Sequence, residues 1–193
     1  MVQLIVGLIL FIGVHSIAIV SVATRDRWAE ALGVNAWRGL YSLISAAGLV
    51  LLVMGYVAAR QSPVLLYAPP LWTRHLAFVL LLPVFPLLLA AYLPGAIKAR
   101  LKHPMLAAVK IWAVAHLIAN GMLADLLLFG GLLAWAVATR ISLKRRGQRP
   151  LMMPLPAPSV MNDVLAVVLG LGIYALVLFW LHGVLIGVPL LPR

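Results

Sequence analysis

What most constrains this chain is the recurrence of predominantly apolar runs of about twenty residues, the length of helix that crosses ~30 Å of hydrocarbon at 1.5 Å per residue. Six such runs are visible: Val2–Ala23, Trp37–Ala59, His75–Ile97, a shorter Pro104–Asn120, Met122–Ile141 and Val160–Leu181. Inside a bilayer the backbone must satisfy its own hydrogen bonds, so runs of this length are helices. The pattern predicts an all-α, polytopic transmembrane bundle of about six helices. Composition agrees. Of 193 residues, 65% are apolar and 10% charged, far from the ~25% charge of soluble domains. The stretches between runs are too short for a separate soluble domain, so residues 1–193 read as a single transmembrane domain.

The net charge of +11 would suggest nucleic acid in a soluble protein. Here the basic residues fall between the apolar runs, where they act as topology signals and meet lipid headgroups. The expected partner is the lipid bilayer, with no nucleic acid. Loops one, three and five hold Arg25, Arg27, Arg38, Lys98, Arg100, Lys102, Arg140, Lys144, Arg145, Arg146 and Arg149. Loops two and four and the termini hold only Arg60, Arg74 and Arg193. The positive-inside rule then places both termini on the non-cytoplasmic side. For a bacterial inner (cytoplasmic) membrane that side is the periplasm. Ser21-Val22-Ala23 resembles a signal cleavage site, but no basic residue precedes the run and Arg25 and Arg27 follow it. The run is expected to stay as an anchor.

Local punctuation is clear in places. Pro83, Pro86 and Pro94 predict a bent third span. Pro104 suits a first helical position, and Asn120-Gly121 marks a stop. Ala108, Ala115 and Ala119 offer small surfaces for close helix approach, and Gly170-Leu-Gly172 reads as a packing feature.

The absence of cysteine excludes disulfides, thiolate ligands and covalent haem attachment. No nucleophile triad, phosphate loop or dinucleotide turn occurs, so catalytic residues are unknown. Of five histidines, only His15 and His116 lie well inside spans. Intramembrane ionisable groups are expensive and are functional candidates; the structural alternative is a neutral ring bonded to a neighbouring carbonyl. The four acids, Asp26, Glu30, Asp125 and Asp163, fall at or beyond span ends, which disfavours zinc or di-iron. Haem needs only one or two histidines and an apolar slot, so elimination points to non-covalent haem b. His103 is 13 residues from His116, roughly 220° around one helix, so those two cannot share an iron on a continuous helix. His15 and His116 are on different helices and can, although their depths differ by about 13 Å in untilted helices. His75 and His182 are rival ligands. Trp112, His116 and Asn120 form one i, i+4, i+8 stripe, either a cofactor wall or packing plus capping. Lys110 is expected to snorkel. Arg60 and Arg74, alone on the outer loops, are available to haem propionates, lipid phosphates or water.

Three segments carry a family resemblance: His15-Ser16, then Trp37-Arg38-Gly-Leu-Tyr-Ser-Leu, then Lys102-His103-Pro104 followed by Trp112-Ala-Val-Ala-His116-Leu-Ile-Ala-Asn-Gly. Across essentially its whole length the chain resembles the NnrU family. The resemblance implies a bacterial membrane protein associated with denitrification and nitric-oxide metabolism. It also implies kinship with plant 15-cis-zeta-carotene isomerase, a haem b enzyme whose two haem-ligand histidines sit in motifs matching His15 and His116. The sequence departs from that enzyme at Ala113, where the enzyme has a cysteine, and at Arg60-Gln61-Ser62, a region where it has a further histidine.

Three functions therefore stand as expectations. The first is a haem b protein, with His15 and His116 on the iron, engaged in redox or nitric-oxide chemistry. The second is a haem-dependent cis-trans isomerase acting on a hydrophobic carotenoid. The third is a cofactor-free membrane assembly or transport component.

Overall fold

A computed structural model describes residues 1–146 and 157–190. Arg149 and Arg193 of the charge count, and most of the proline-rich linker before the last span, lie outside the described residues. The regular elements of the described residues are helices: α1 (Val2–Val20), α2 (Val22–Leu32), α3 (Val34–Gln61), α4 (Trp72–Ala90), α5 (Ala96–Leu101), α6 (Pro104–Ala119), α7 (Leu123–Arg146) and α8 (Val160–Ile186). Among them α1, α3, α4, α7 and α8 are long and apolar enough to cross a membrane. At 16 residues α6 is shorter. The protein is a multi-pass membrane protein.

The boundaries differ from the apolar runs for local reasons. The first run continues to Ala23, but its helix stops at Val20, because Ser21 adopts an extended conformation and caps the next helix, its Oγ accepting from Thr24 N at 3.1 Å. The stretch 24–36, polar in sequence, is therefore mostly helix, divided at Gly33 by a φ of +81°. The third run is bent as its prolines predict, at Leu82–Pro83; Pro94 lies beyond the helix. Helix α7 outruns its apolar segment, so Lys144, Arg145 and Arg146 occupy its last turn, where cations complement the carbonyl end. Both α7 and α8 contain one widened π-turn, at Leu126–Gly130 and Val177–Leu181.

The residues cluster into two units. The first comprises 1–67 and 121–146. Its centre is the crossing of α1 on α3, set by glycines that let the backbones touch. A methyl on Gly48 would stand 2.8 Å from Phe11 N, and one on Gly55 would meet the backbone at Leu4. Helix α7 lies against α1. The link after α3 folds back on the start of α7, with Leu66 N donating to Gly121 O (2.8 Å) and Leu123 N to Val64 O (2.9 Å).

The second unit comprises 68–120 and 157–190. Helix α8 crosses α4 where Gly170 meets the backbone of Pro86, and Tyr174 Oη donates to Phe78 O at 3.0 Å. Of the Gly170-Leu-Gly172 pair only Gly170 is a packing glycine, since nothing lies within 4 Å of a methyl on Gly172. Helix α6 packs on α4, with Ala108, Ala113 and Ala115 fully buried and Pro104 in its first turn. Asp163, in the first turn of α8, accepts from Ala96 N (2.7 Å) and Ile97 N (3.1 Å), capping α5, while Asn162 Nδ2 donates to Pro94 O (2.8 Å).

Candidate functional site

His15 lies on α1, little more than a turn before the helix breaks at Ser21. Its Nδ1 is 2.7 Å from the carbonyl oxygen of Phe11, one turn back. A carbonyl can only accept, so the neutral ring must carry its proton on Nδ1. That leaves the lone pair on Nε2, the arrangement that suits a histidine for metal ligation. The ring sits among aromatic side chains from three helices: Phe11 at 4.3 Å between centroids, Tyr41 at 5.3 Å and Trp135 at 5.8 Å, the last two edge-on. The indole Nε1 of Trp135 is buried and has no hydrogen-bond partner among the described residues. Leaving such a donor unsatisfied costs about 1–3 kcal/mol.

His15 also lines a cleft of about 300 Å³. One wall is α1, through Val14, Ile17 and Ala18. The opposite wall is Trp37, Arg38, Tyr41 and Ser42 of α3, and Arg25 of α2 closes the end. The Trp-Arg-Gly-Leu-Tyr-Ser segment singled out in the sequence is thus the wall facing His15. Its i, i+1, i+4, i+5 spacing presents one helix face. The Ser21 break matters here, because it brings α2 and Arg25 to the same cleft.

His116 belongs to the second unit, near the end of α6. Its Nδ1 is 2.8 Å from Trp112 O, again one turn back, so its neutral ring carries the same tautomer as His15. The Trp112 ring lies 4.9 Å from it, and Asn120 Nδ2 donates to His116 O at 2.9 Å. The stripe read from sequence is present, and its capping role is explicit. His182 also meets a carbonyl through Nδ1, that of Val188 at 2.7 Å, beyond its own helix. His75 is exposed on the first turn of α4, and His103 precedes α6. Among the described residues no three His, Cys, Asp or Glu side chains gather as a metal-binding group.

Both outer-loop arginines have a partner within the protein. Arg60 Nη1 donates to Tyr56 Oη at 3.3 Å and its guanidinium lies 5.8 Å from the Tyr56 ring centroid. Arg74 Nη2 donates to Leu190 O at 3.3 Å.

A second cluster was not singled out in the sequence. Asp125 is only 1% exposed. It accepts from Tyr56 Oη at 2.6 Å and from Met122 N at 2.8 Å, and Phe129 packs edge-on against Tyr56 at 6.0 Å. The sequence signal was an acid at a span end, which gives no hint of burial. Tyr56-Val-Ala-Ala-Arg60 on one helix face was the available clue. In the link after α3, burial and then the charge of Asp125 raise the Tyr67 phenol above its ordinary value.

A family model described as NnrU protein matches residues 3–190. No curated protein and no solved structure matches the chain.

Proposed function

The chain belongs to the NnrU family, and on that premise we propose that it is an integral membrane protein of the bacterial inner membrane that binds haem b and serves nitric-oxide or denitrification metabolism. The observation that carries this reading is the His15 ring, held by Phe11 O with its Nε2 lone pair kept for a ligand, in a cleft walled by Trp37 and Tyr41. A cleft that joins a single well-oriented imidazole to aromatic and aliphatic walls is a donor environment that suits non-covalent haem. The chain's lack of cysteine fits an unattached porphyrin.

His15 would hold the iron, and the family resemblance implies His116 as a further haem-ligand histidine. The repeated i−4 carbonyl bond at His116 gives it the same ligating tautomer. When bound, haem supplies a one-electron couple and a coordination position for a small ligand such as nitric oxide or an olefin. The residues here have three tasks. Phe11 O and Trp112 O orient the imidazoles and raise their basicity. The aromatic rings of Trp37 and Tyr41 would offer the porphyrin an apolar face. Asn120 fixes the carbonyl end of α6 beside His116.

The test is a titration of the purified protein with haem. A Soret band characteristic of nitrogenous ligation is expected. His15→Ala and His116→Ala should each abolish or shift it, and His103→Ala should leave it unchanged. Absence of any band would overturn the reading. A haem-loaded protein that also changes the isomer profile of a co-expressed poly-cis carotene would move the assignment to the isomerase reading.

A further inference from the structure

We infer that Arg25 and Arg38 are a carboxylate-binding pair for the propionates of the cofactor, placing the anionic edge of the porphyrin at the α1–α2 break. This rests on the haem reading above. Both arginines line the cleft that holds His15. Arg38 has no hydrogen-bond or ion-pair partner among the described residues. Arg25 pairs with Asp26 through its Nε, 3.0 Å from Asp26 Oδ1, and that buried Nε makes no hydrogen bond among the described residues. Four other arginines bond the protein itself. Arg27 donates to Thr24 Oγ1, Arg60 to Tyr56, Arg74 to Leu190 O and Arg146 to Ser142 O.

Guanidinium presents a planar fork of donors that matches a carboxylate. An amphiphile with an apolar ring and two carboxylates needs an imidazole and apolar walls at one end and such forks at the other. The cleft supplies both, with Ser42 as an added hydroxyl. Arg25 and Arg38 also contribute to the positive-inside bias. That role requires only their charge, and it does not require them to share a cleft with an intramembrane histidine. With the orientation read from the loops, the propionates face the cytoplasm.

The experiment compares haem b with its dimethyl ester, whose propionates are uncharged, on the full-length protein in detergent. Wild type should bind haem at least tenfold more tightly than the ester. Arg25→Gln combined with Arg38→Gln should weaken haem binding by about tenfold or more and leave ester binding and the melting temperature unchanged. Arg25→Lys with Arg38→Lys should recover part of the loss. Equal affinity for haem and ester in wild type would overturn the inference while leaving the haem reading intact. So would unchanged haem affinity in the Gln variant with less co-purified phosphatidylglycerol, which would assign the arginines to lipid headgroups. Failure of both porphyrins to bind would overturn the haem reading itself, and this inference with it.

Discussion

Tyr56 Oη donates to Asp125 Oδ1 at 2.6 Å, tying α3 to the first turn of α7 across 69 residues of chain. The same carboxylate receives Met122 N through its other oxygen, so it caps α7 while bonding α3. A carboxylate buried this deeply is stable only with its acceptors filled. Asp125→Ala is therefore expected to lower stability by about 3 kcal/mol, because it strands the Tyr56 hydroxyl and removes a cap. Asp125→Asn, which keeps one acceptor oxygen, should cost less. Thermal unfolding in detergent measures both; equal melting temperatures for wild type and the Ala variant would refute the role.

The α1–α3 crossing makes a second prediction. Gly48→Leu places a side chain where Phe11 N already stands, 2.8 Å from the first added carbon. Helix α1 would have to move, carrying His15 with it. The variant should lose thermal stability and any haem spectrum together. Gly172→Ala is the control, since its methyl meets nothing within 4 Å. It should be neutral within about 1 kcal/mol, or slightly stabilising through helix propensity.

Asp163 predicts a loss confined to the second unit. It supplies the acceptors for Ala96 N and Ile97 N, and helix N-cap removal costs about 0.5–2 kcal/mol. In Asp163→Ala, hydrogen exchange at Ala96 and Ile97 should rise while the amides of α1 and α3 keep their protection. Unchanged exchange at those two amides would contradict the capping role.

How much of this was legible in the sequence depends on the scale of the interaction. The spans followed from hydropathy, since burial in lipid is a property of whole segments. So did the bend at Pro83 and the start of α6 at Pro104, which arise from the proline ring itself. The break at Ser21 was not read, because an apolar run masks a single polar cap. Asp125 looked like a span-end acid, and only the return of α7 against α3 reveals that it is buried with Tyr56. For the site, His15 and the Trp37–Ser42 segment stood out separately, but their facing walls, and the arrival of Arg25, depend on tertiary packing. The contacts of Arg60 with Tyr56 Oη and of Arg74 with Leu190 O are not local features of composition.

The tautomers make a spectroscopic prediction. In protein labelled with ¹⁵N-histidine and free of haem, His15 should resonate with its proton on Nδ1, as the 2.7 Å approach to Phe11 O requires. An Nε2-protonated neutral ring would show that the orientation proposed for ligation is wrong.

The most direct test of the central claim is chemical rescue at His15. His15→Gly removes the imidazole and leaves a space of its size beside Tyr41 and Trp135. Haem added to this variant should give a weakened or shifted Soret band, and free imidazole should return the wild-type spectrum. A wild-type spectrum in His15→Gly without imidazole would contradict the account, because the iron would then be held by something other than His15.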